Sequence, residues 1–338
     1  MTVRATVSLA AVSLLAWACG SQQQAQSPGP TAPPAAAVTT AAAAHAGLGT
    51  APVHEPSGDV EFKAALDLKQ KPKGNEPQLR HGWMAASKDW PASLYVTFQT
   101  ADGTAACTAA LIGPQAMLTA AHCVPAAGKV TFVYAGQAQP YETECTRHPR
   151  YPADASADFA LCRIKKAFAA PAGFLFETVD SSALSGMQGA SLVLTGYGCV
   201  SDAVADAQFD DKYRIGFNKV DETSASAPPA RHHEEAFYAP RENNNLFTAD
   251  DPEAANLCPG DSGGPVFRRQ TGAAVVTARS IVGVNSRVFY RDAAHTAYGS
   301  SLLSSTGGPD FRGWASDWAK DKKVAACGIA GAVPNCRS

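Results

Sequence analysis

A serine set between glycines is the first feature of the chain that could do chemistry. In Cys258-Pro259-Gly260-Asp261-Ser262-Gly263-Gly264-Pro265 the Ser262 hydroxyl is expected on a tight loop whose backbone only glycine neighbours permit easily. Gly260 lets the chain turn so that its own N–H and that of Ser262 converge on one spot. Such a pair can hold the negative oxygen that develops when a nucleophile attacks a carbonyl. A serine hydroxyl needs a base, and the base needs an orienting carboxylate. Both lie upstream: His122 in Leu118-Thr119-Ala120-Ala121-His122-Cys123 and Asp158 in Ala157-Asp158-Phe159-Ala160-Leu161. Singly, each string has a plain structural meaning: a β-turn, a small-residue core strand ending in a buried histidine, and a turn-forming aspartate. Together they describe acyl transfer.

The set resembles the trypsin-like serine proteases of the chymotrypsin fold, with His, Asp and Ser in that family's chain order. Further segments support the resemblance over roughly residues 82–320. Cys107 and Cys123 flank the apolar pair Leu111-Ile112, His148-Pro149-Arg150-Tyr151 precedes Asp158, and Leu194-Thr195-Gly196-Tyr197-Gly198 matches the family's Gly-Trp-Gly turn. The resemblance implies an all-β domain of two packed six-stranded antiparallel barrels and a C-terminal helix docked on the second. His122 and Asp158 would come from the first barrel and Ser262 from the second, with Gly260 and Ser262 as oxyanion donors. Asn256 would floor the primary substrate pocket beside Leu257. Asn285 and Ser286 would stand on the cleft wall that pairs with bound peptide. Protein or peptide substrates are implied, with a protein inhibitor as a further candidate partner, and neither cofactor nor metal is called for. The alternative is a catalytically silent homologue acting as a binding module, which a serine-directed phosphonate probe would separate.

Family zymogens end their pro-segment at a basic residue, and the freed amino group pairs with the acid before the nucleophile. That acid is Asp261. Here Arg80 is followed by His81-Gly82-Trp83, a departure that leaves three partners open for Asp261: a new terminus at His81, the His81 imidazole, or Arg80 in an uncleaved chain. The expected disulfides are Cys107–Cys123, Cys145–Cys162, Cys199–Cys258 and Cys327–Cys336. The third rests on elimination within the resemblance, since Ser280 to Tyr298 lacks the cysteine the family uses there.

The elements that must position these residues read as short apolar runs broken by Gly and Pro. Ser93 to Gln99 alternates in strand fashion, and Ala109 to Ile112, Met117 to Ala120, Val130 to Ala135 and Phe159 to Ile164 continue the series. Ala274 to Thr277 and Ser280 to Val284 add two strands after the nucleophile. Pro309 to Lys320 is the one good helix, with Phe311, Trp314 and Trp318 forming a core-facing stripe. Arg231-His232-His233-Glu234-Glu235 lacks metal-ligand spacing and reads as a solvated loop.

The chain has 338 residues, a formal charge of −2, and nine cysteines. The near-neutral charge gives no basic stripe for nucleic acid, and the cysteines suit an oxidising compartment. Residues 1–18 read as a signal peptide, its apolar run too short to span a membrane. Leu14-Leu15-Ala16-Trp17-Ala18-Cys19 looks like the lipobox of bacterial lipoproteins, and removing Cys19 leaves an even cysteine count. The expectation is export to the outer membrane or cell surface on a lipid at Cys19, otherwise a periplasmic or extracellular protein; the lipid is the only membrane contact foreseen. Residues 19–57, rich in Pro and Ala, form the expected tether. Residues 58–81 are a candidate pro-segment, with Val60 to Leu68 as a short helix ended by Pro72, and residues 82–338 are the protease domain.

Overall fold

The structure, a computed structural model, describes residues 49–64 and 79–337 apart from 102, 135–136, 138, 207–211, 227–234, 270–273 and 275–276. The signal segment, Cys19, the tether up to residue 48 and the His232-His233 pair lie outside the described residues.

In chain order the first strands are β1 (Val60–Ala64), β2 (Trp83–Met84), β3 (Ser93–Thr100), β4 (Gly103–Gly113), β5 (Ala116–Thr119), β6 (Val130–Val133), β7 (Tyr141–Arg147) and β8 (Ala160–Ile164). All but β2 close into one barrel of order β1-β3-β4-β5-β8-β7-β6. It has seven strands, one more than expected, because β1 joins it. The helix expected over 60–68 is a strand wherever it is described. Val60, Phe62 and Ala64 are buried while Glu61 and Lys63 face out, a period of two that a helix cannot satisfy. β1 runs antiparallel to β3 but parallel to β6, so this barrel is not wholly antiparallel. The body of the protein therefore begins well before residue 82.

The second barrel comprises β9 (Ser191–Gly196), β10 (Arg214–Thr223), β11 (Asn245–Thr248), β12 (Pro265–Arg269), β13 (Arg279–Tyr290) and β14 (Tyr298–Ser305). The order β11-β14-β13-β12-β9-β10 is closed by the pairing of β10 with β11, and β2 adds to β10. β10 and β11 are strands that the series of short apolar runs did not include. The strand expected over 274–277 is replaced at its described ends by a turn, the Thr277 amide donating to Ala274 O at 3.0 Å. Leu192, Leu194, Val220, Leu246, Val266, Val282 and Leu303 fill this barrel, each almost fully buried.

Helix α1 (Phe311–Lys322) follows the second barrel in sequence but rests on the first, contrary to the expected docking. Phe311 packs on Phe159 at 4.8 Å between ring centroids, and Trp314 on the His148 ring at 4.9 Å. The stripe was legible; its partner was not. By gripping His148 and Phe159, the helix steadies the segment that carries Asp158.

All four expected disulfides are present: Cys107–Cys123, Cys145–Cys162, Cys199–Cys258 and Cys327–Cys336. Cys145 and Cys162 face each other directly across β7 and β8, while Cys199–Cys258 ties the Gly196-Tyr197-Gly198 turn to the loop that holds Ser262.

Candidate active site

His122 lies in a single 3-10 turn, Ala121–Cys123, immediately after β5. The neighbouring Cys107–Cys123 bridge fixes that turn to β4. Asp158 precedes β8, which pairs antiparallel with β5, so the two residues meet at one end of a shared ladder. The Asp158 carboxylate accepts the His122 backbone N–H at 3.0 Å through Oδ1 and the ring Nδ1–H at 2.7 Å through Oδ2. A carboxylate acceptor at that distance puts the proton on Nδ1 and leaves Nε2 as the basic nitrogen. Nε2 is buried and has no hydrogen-bond partner among the described residues.

Asp158 is 1% exposed. Burial pushes its carboxyl up, but the His122 charge and ring N–H, the Ser286 hydroxyl and the His122 amide together hold it below the ordinary carboxylate range. The Ser286 hydroxyl reaches it from β13 at 2.7 Å.

Ser262 comes to this place by a close approach of the two barrels. Its carbonyl accepts the Thr108 amide of β4 at 2.6 Å. Next to it, Gly263 has φ +77°, and a Cβ there would stand 2.3 Å from both Thr108 O and Thr119 Oγ1. Only glycine allows the loop to lie this near β4 and β5. Gly260 also occupies the left-handed region, with φ +99°. The amides of Gly260 and Ser262 find no acceptor among the described residues, whereas Asp261, Gly263 and Gly264 each donate to a carbonyl. Asn285 braces the loop, its Nδ2 donating to Thr195 O at 2.8 Å and Asp261 O at 3.0 Å.

A cavity of about 280 Å³ opens beside Ser262 and is lined by Leu257, Gly260, Ser286, Val288 and Tyr298, and by residues 51–54 from the N-terminal side. Of the residues expected at the substrate pocket, Leu257 and Ser286 line this cavity, and Asn256 and Asn285 do not. Asn256 is turned into a buried network. Its Oδ1 accepts from Thr248 Oγ1 at 2.6 Å, Ser301 Oγ at 3.0 Å and Asn218 Nδ2 at 3.2 Å. An amide so fully satisfied is a structural tie between β10, β11 and β14.

In the uncleaved chain neither the His81 imidazole nor the Arg80 guanidinium bonds to Asp261. Its carboxylate accepts two backbone amides, Gly198 at 2.8 Å and Cys258 at 2.9 Å. A Cβ on Gly196 would fall 2.1 Å from Asp261 Oδ1, which explains that glycine of the turn. Burial pushes the Asp261 carboxyl up to about 7 despite the two donors. His81 Nε2 contacts Asp202 at 3.2 Å, and Arg80 Nη1 contacts the same carboxylate at 3.0 Å.

Sequence reading singles out Arg80 as a cleavage point and a candidate partner of Asp261, but misses the role it has here. Arg80 is 1% exposed; its Nε donates to Leu257 O at 2.9 Å, and its guanidinium also donates to the carbonyls of Tyr298 and Gly299. Leu257 and Tyr298 both line the cavity, so Arg80 ties these two lining segments together through their carbonyls. Burial lowers its pKa to about 10, with Asp202 opposing, which keeps it charged at neutral pH. No local pattern marks that role, because its partners lie more than a hundred positions away.

His122, Cys107 and Cys123 also cluster closely enough to suggest a metal. The two sulfurs are joined to each other and Nδ1 is taken by Asp158, so this is not a ligand set.

The fold and this geometry define a class. A family model described as Trypsin matches residues 80–300, more than half of the chain, and the chain belongs to that family. Among solved structures it is similar to neuropsin, a serine protease expressed in the limbic system of mouse brain. The identity is 18% over 72% of this chain and 98% of that one, with a TM-score of 0.50, which is a likeness of fold. None of the curated proteins compared matches the chain.

Proposed function

We propose that the protein is a serine endopeptidase acting through an acyl-enzyme on Ser262. The observation that carries this reading is the buried bond of 2.7 Å from His122 Nδ1 to Asp158, which leaves Nε2 ready for a hydroxyl proton. Ser262 Oγ attacks the carbonyl carbon of a peptide bond while its proton passes to His122 Nε2. Asp158 steadies the resulting imidazolium, and the Gly260 and Ser262 amides donate to the oxyanion. Collapse of the tetrahedral species breaks the C–N bond, and His122 returns the proton to the leaving amine. A water molecule, deprotonated by the same nitrogen, then releases the acyl group. Ser286 acts as a positioning residue through Asp158. The four disulfides suit an oxidising compartment, and a lipid on Cys19 would tether the enzyme at a membrane surface.

A diphenyl phosphonate carrying a fluorophore tests the assignment. It is expected to label the wild-type chain at Ser262, located by peptide mass, and to leave Ser262→Ala unlabelled. The same substitution is expected to lower peptide hydrolysis on the order of 10⁴–10⁶-fold. Hydrolysis by the wild type without labelling of Ser262 refutes the serine nucleophile. Neither labelling nor hydrolysis by a folded wild type favours the binding module.

A further inference from the structure

The wall of the cleft is a free strand edge. β13 pairs with β12 only as far as Val284 and with β14 as far as Tyr290. From Ser286 onward its other edge carries no barrel strand among the described residues. Residues 49–51, expected at the end of the tether, occupy that edge. Thr50 pairs antiparallel with Phe289. The Ala51 amide donates to Val288 O at 2.8 Å, and the Tyr290 amide donates to Gly49 O at 3.2 Å.

The chain then crosses the mouth of the cavity, which residues 51–54 line together with Gly260 and Ser262. It reaches the rim of the first barrel at Glu55. One carboxylate oxygen of Glu55 accepts from Arg147 Nη2 at 3.0 Å and the other from the Tyr151 hydroxyl at 3.1 Å. Asp59 then accepts the Lys129 amide at 2.8 Å, and β1 follows, locked into the closed barrel.

We propose that residues 49–56 are an internal occupant of the cleft, bound by strand addition to β13 and pinned at Glu55, and that an extended peptide must displace them to reach Ser262. This rests on the reading of Ser262 as nucleophile. Strand addition to a free sheet edge draws on main-chain donors and acceptors, and the Val288 carbonyl and Tyr290 amide serve one occupant at a time. Because β1 anchors the segment a few residues away, its effective concentration at the edge is high without any strong contact. Ala51 and Pro56 are buried, but the other contacts at the middle of the segment are partly open to solvent. Pro52 is exposed, Val53 is 37% exposed, and Glu55 is 39% exposed beside an Arg147 that is 22% exposed. The segment is therefore a displaceable cover, one that peels from its amino-terminal end while β1 stays in place. Partners that pull on the tether, or a cut between residues 49 and 58, would open the cleft.

The test uses the full chain. Ala51→Pro removes the N–H given to Val288, and Glu55→Ala removes the rim contact without touching the edge. Each is expected to lower KM for an extended peptide nitroanilide about tenfold with kcat unchanged, as loss of one or two modest hydrogen bonds implies. KM values equal to wild type in both variants would overturn the proposal. A second measurement does not depend on hydrolysis. In the Ser262→Ala background, a fluorescein-labelled peptide copying residues 49–56 is expected to bind the Ala51→Pro chain at least about tenfold more tightly than its parent. Equal binding overturns the proposal even in a protein that turns out to have no peptidase activity. Tighter binding without hydrolysis would retain the occupant and reject the enzyme.

Discussion

Ser286 on the second barrel donates its hydroxyl to Asp158 on the first, 2.7 Å from oxygen to oxygen. Together with the bond from the Thr108 amide to Ser262 O, at 2.6 Å, it sets the separation of the two barrels at the candidate site. Both partners are buried, so Ser286→Ala leaves a carboxylate oxygen short of a donor. The expected loss of stability is about 1.5–3 kcal/mol, the range for hydrogen bonds to charged groups, read from urea unfolding in the Ser262→Ala background. A loss under about 0.5 kcal/mol would mean that the bond is not made in solution.

Arg80 is expected to resist its own family's chemistry. At 1% exposure the peptide bond after it is closed to added trypsin, so limited digestion of the native protein should yield no new terminus at His81. A clean cut there with the body intact would contradict the tie. Arg80→Ala should raise KM more than it lowers kcat, because it frees the Leu257 and Tyr298 segments, and Arg80→Lys should recover part of the loss.

The cavity is expected to disfavour cationic side chains. Leu257 lines it, the Arg80 charge stands behind its wall, and the nearby acids Asp202 and Asp250 are paired with Arg80 and Arg291. Asp292 caps its own turn through Thr296 and Ala297. Desolvating an ammonium or guanidinium without a counter-charge costs several kcal/mol. Matched peptides differing only before the scissile bond should therefore be cleaved faster with Leu, Ala or Gln there than with Lys or Arg. A hundredfold preference for Lys or Arg would show that a carboxylate reaches the cavity.

Asp261 gives a pH dependence of definite sign. Its folded pKa of about 7 lies above the ordinary 3.8, so between these values the folded chain holds a proton that the unfolded chain has lost. This group's contribution to stability is complete below pH 3.8 and is lost as pH rises through about 7. The Asp261→Asn side chain cannot ionise. In the Ser262→Ala background, the Tm advantage of a chain keeping Asp261 over one carrying Asp261→Asn should shrink steadily from pH 4 towards pH 8. An advantage that grows over this window would show that the carboxylate is held ionised by a cation.

Mass spectrometry of the mature amino terminus should find acylated Cys19. An unmodified Cys19, or cleavage elsewhere, removes the membrane tether from the reading.

The local chemistry of this chain was legible in its residues. The glycines around Ser262 and the aromatic stripe of α1 are each dictated by backbone conformation or period within a few positions. An all-β domain was legible too, through the turns that punctuate short apolar runs, while its division into two barrels came from the family resemblance. Tertiary structure alone decided which edges meet. Val60–Ala64 reads equally as a short helix until the gap between β3 and β6 selects a strand. Arg80 looked like a cleavage point until carbonyls more than 170 positions away enclosed it. Asn256 looked like a pocket floor until Thr248 and Ser301 claimed its amide. Residues 49–56, short and holding two prolines, have no periodicity to betray a binding role; their place depends on a backbone edge that arises only where β13 outruns β12. Periodicity records which face of an element is buried, whereas pairing between distant segments is settled by which donors and acceptors remain unsatisfied once the barrels close.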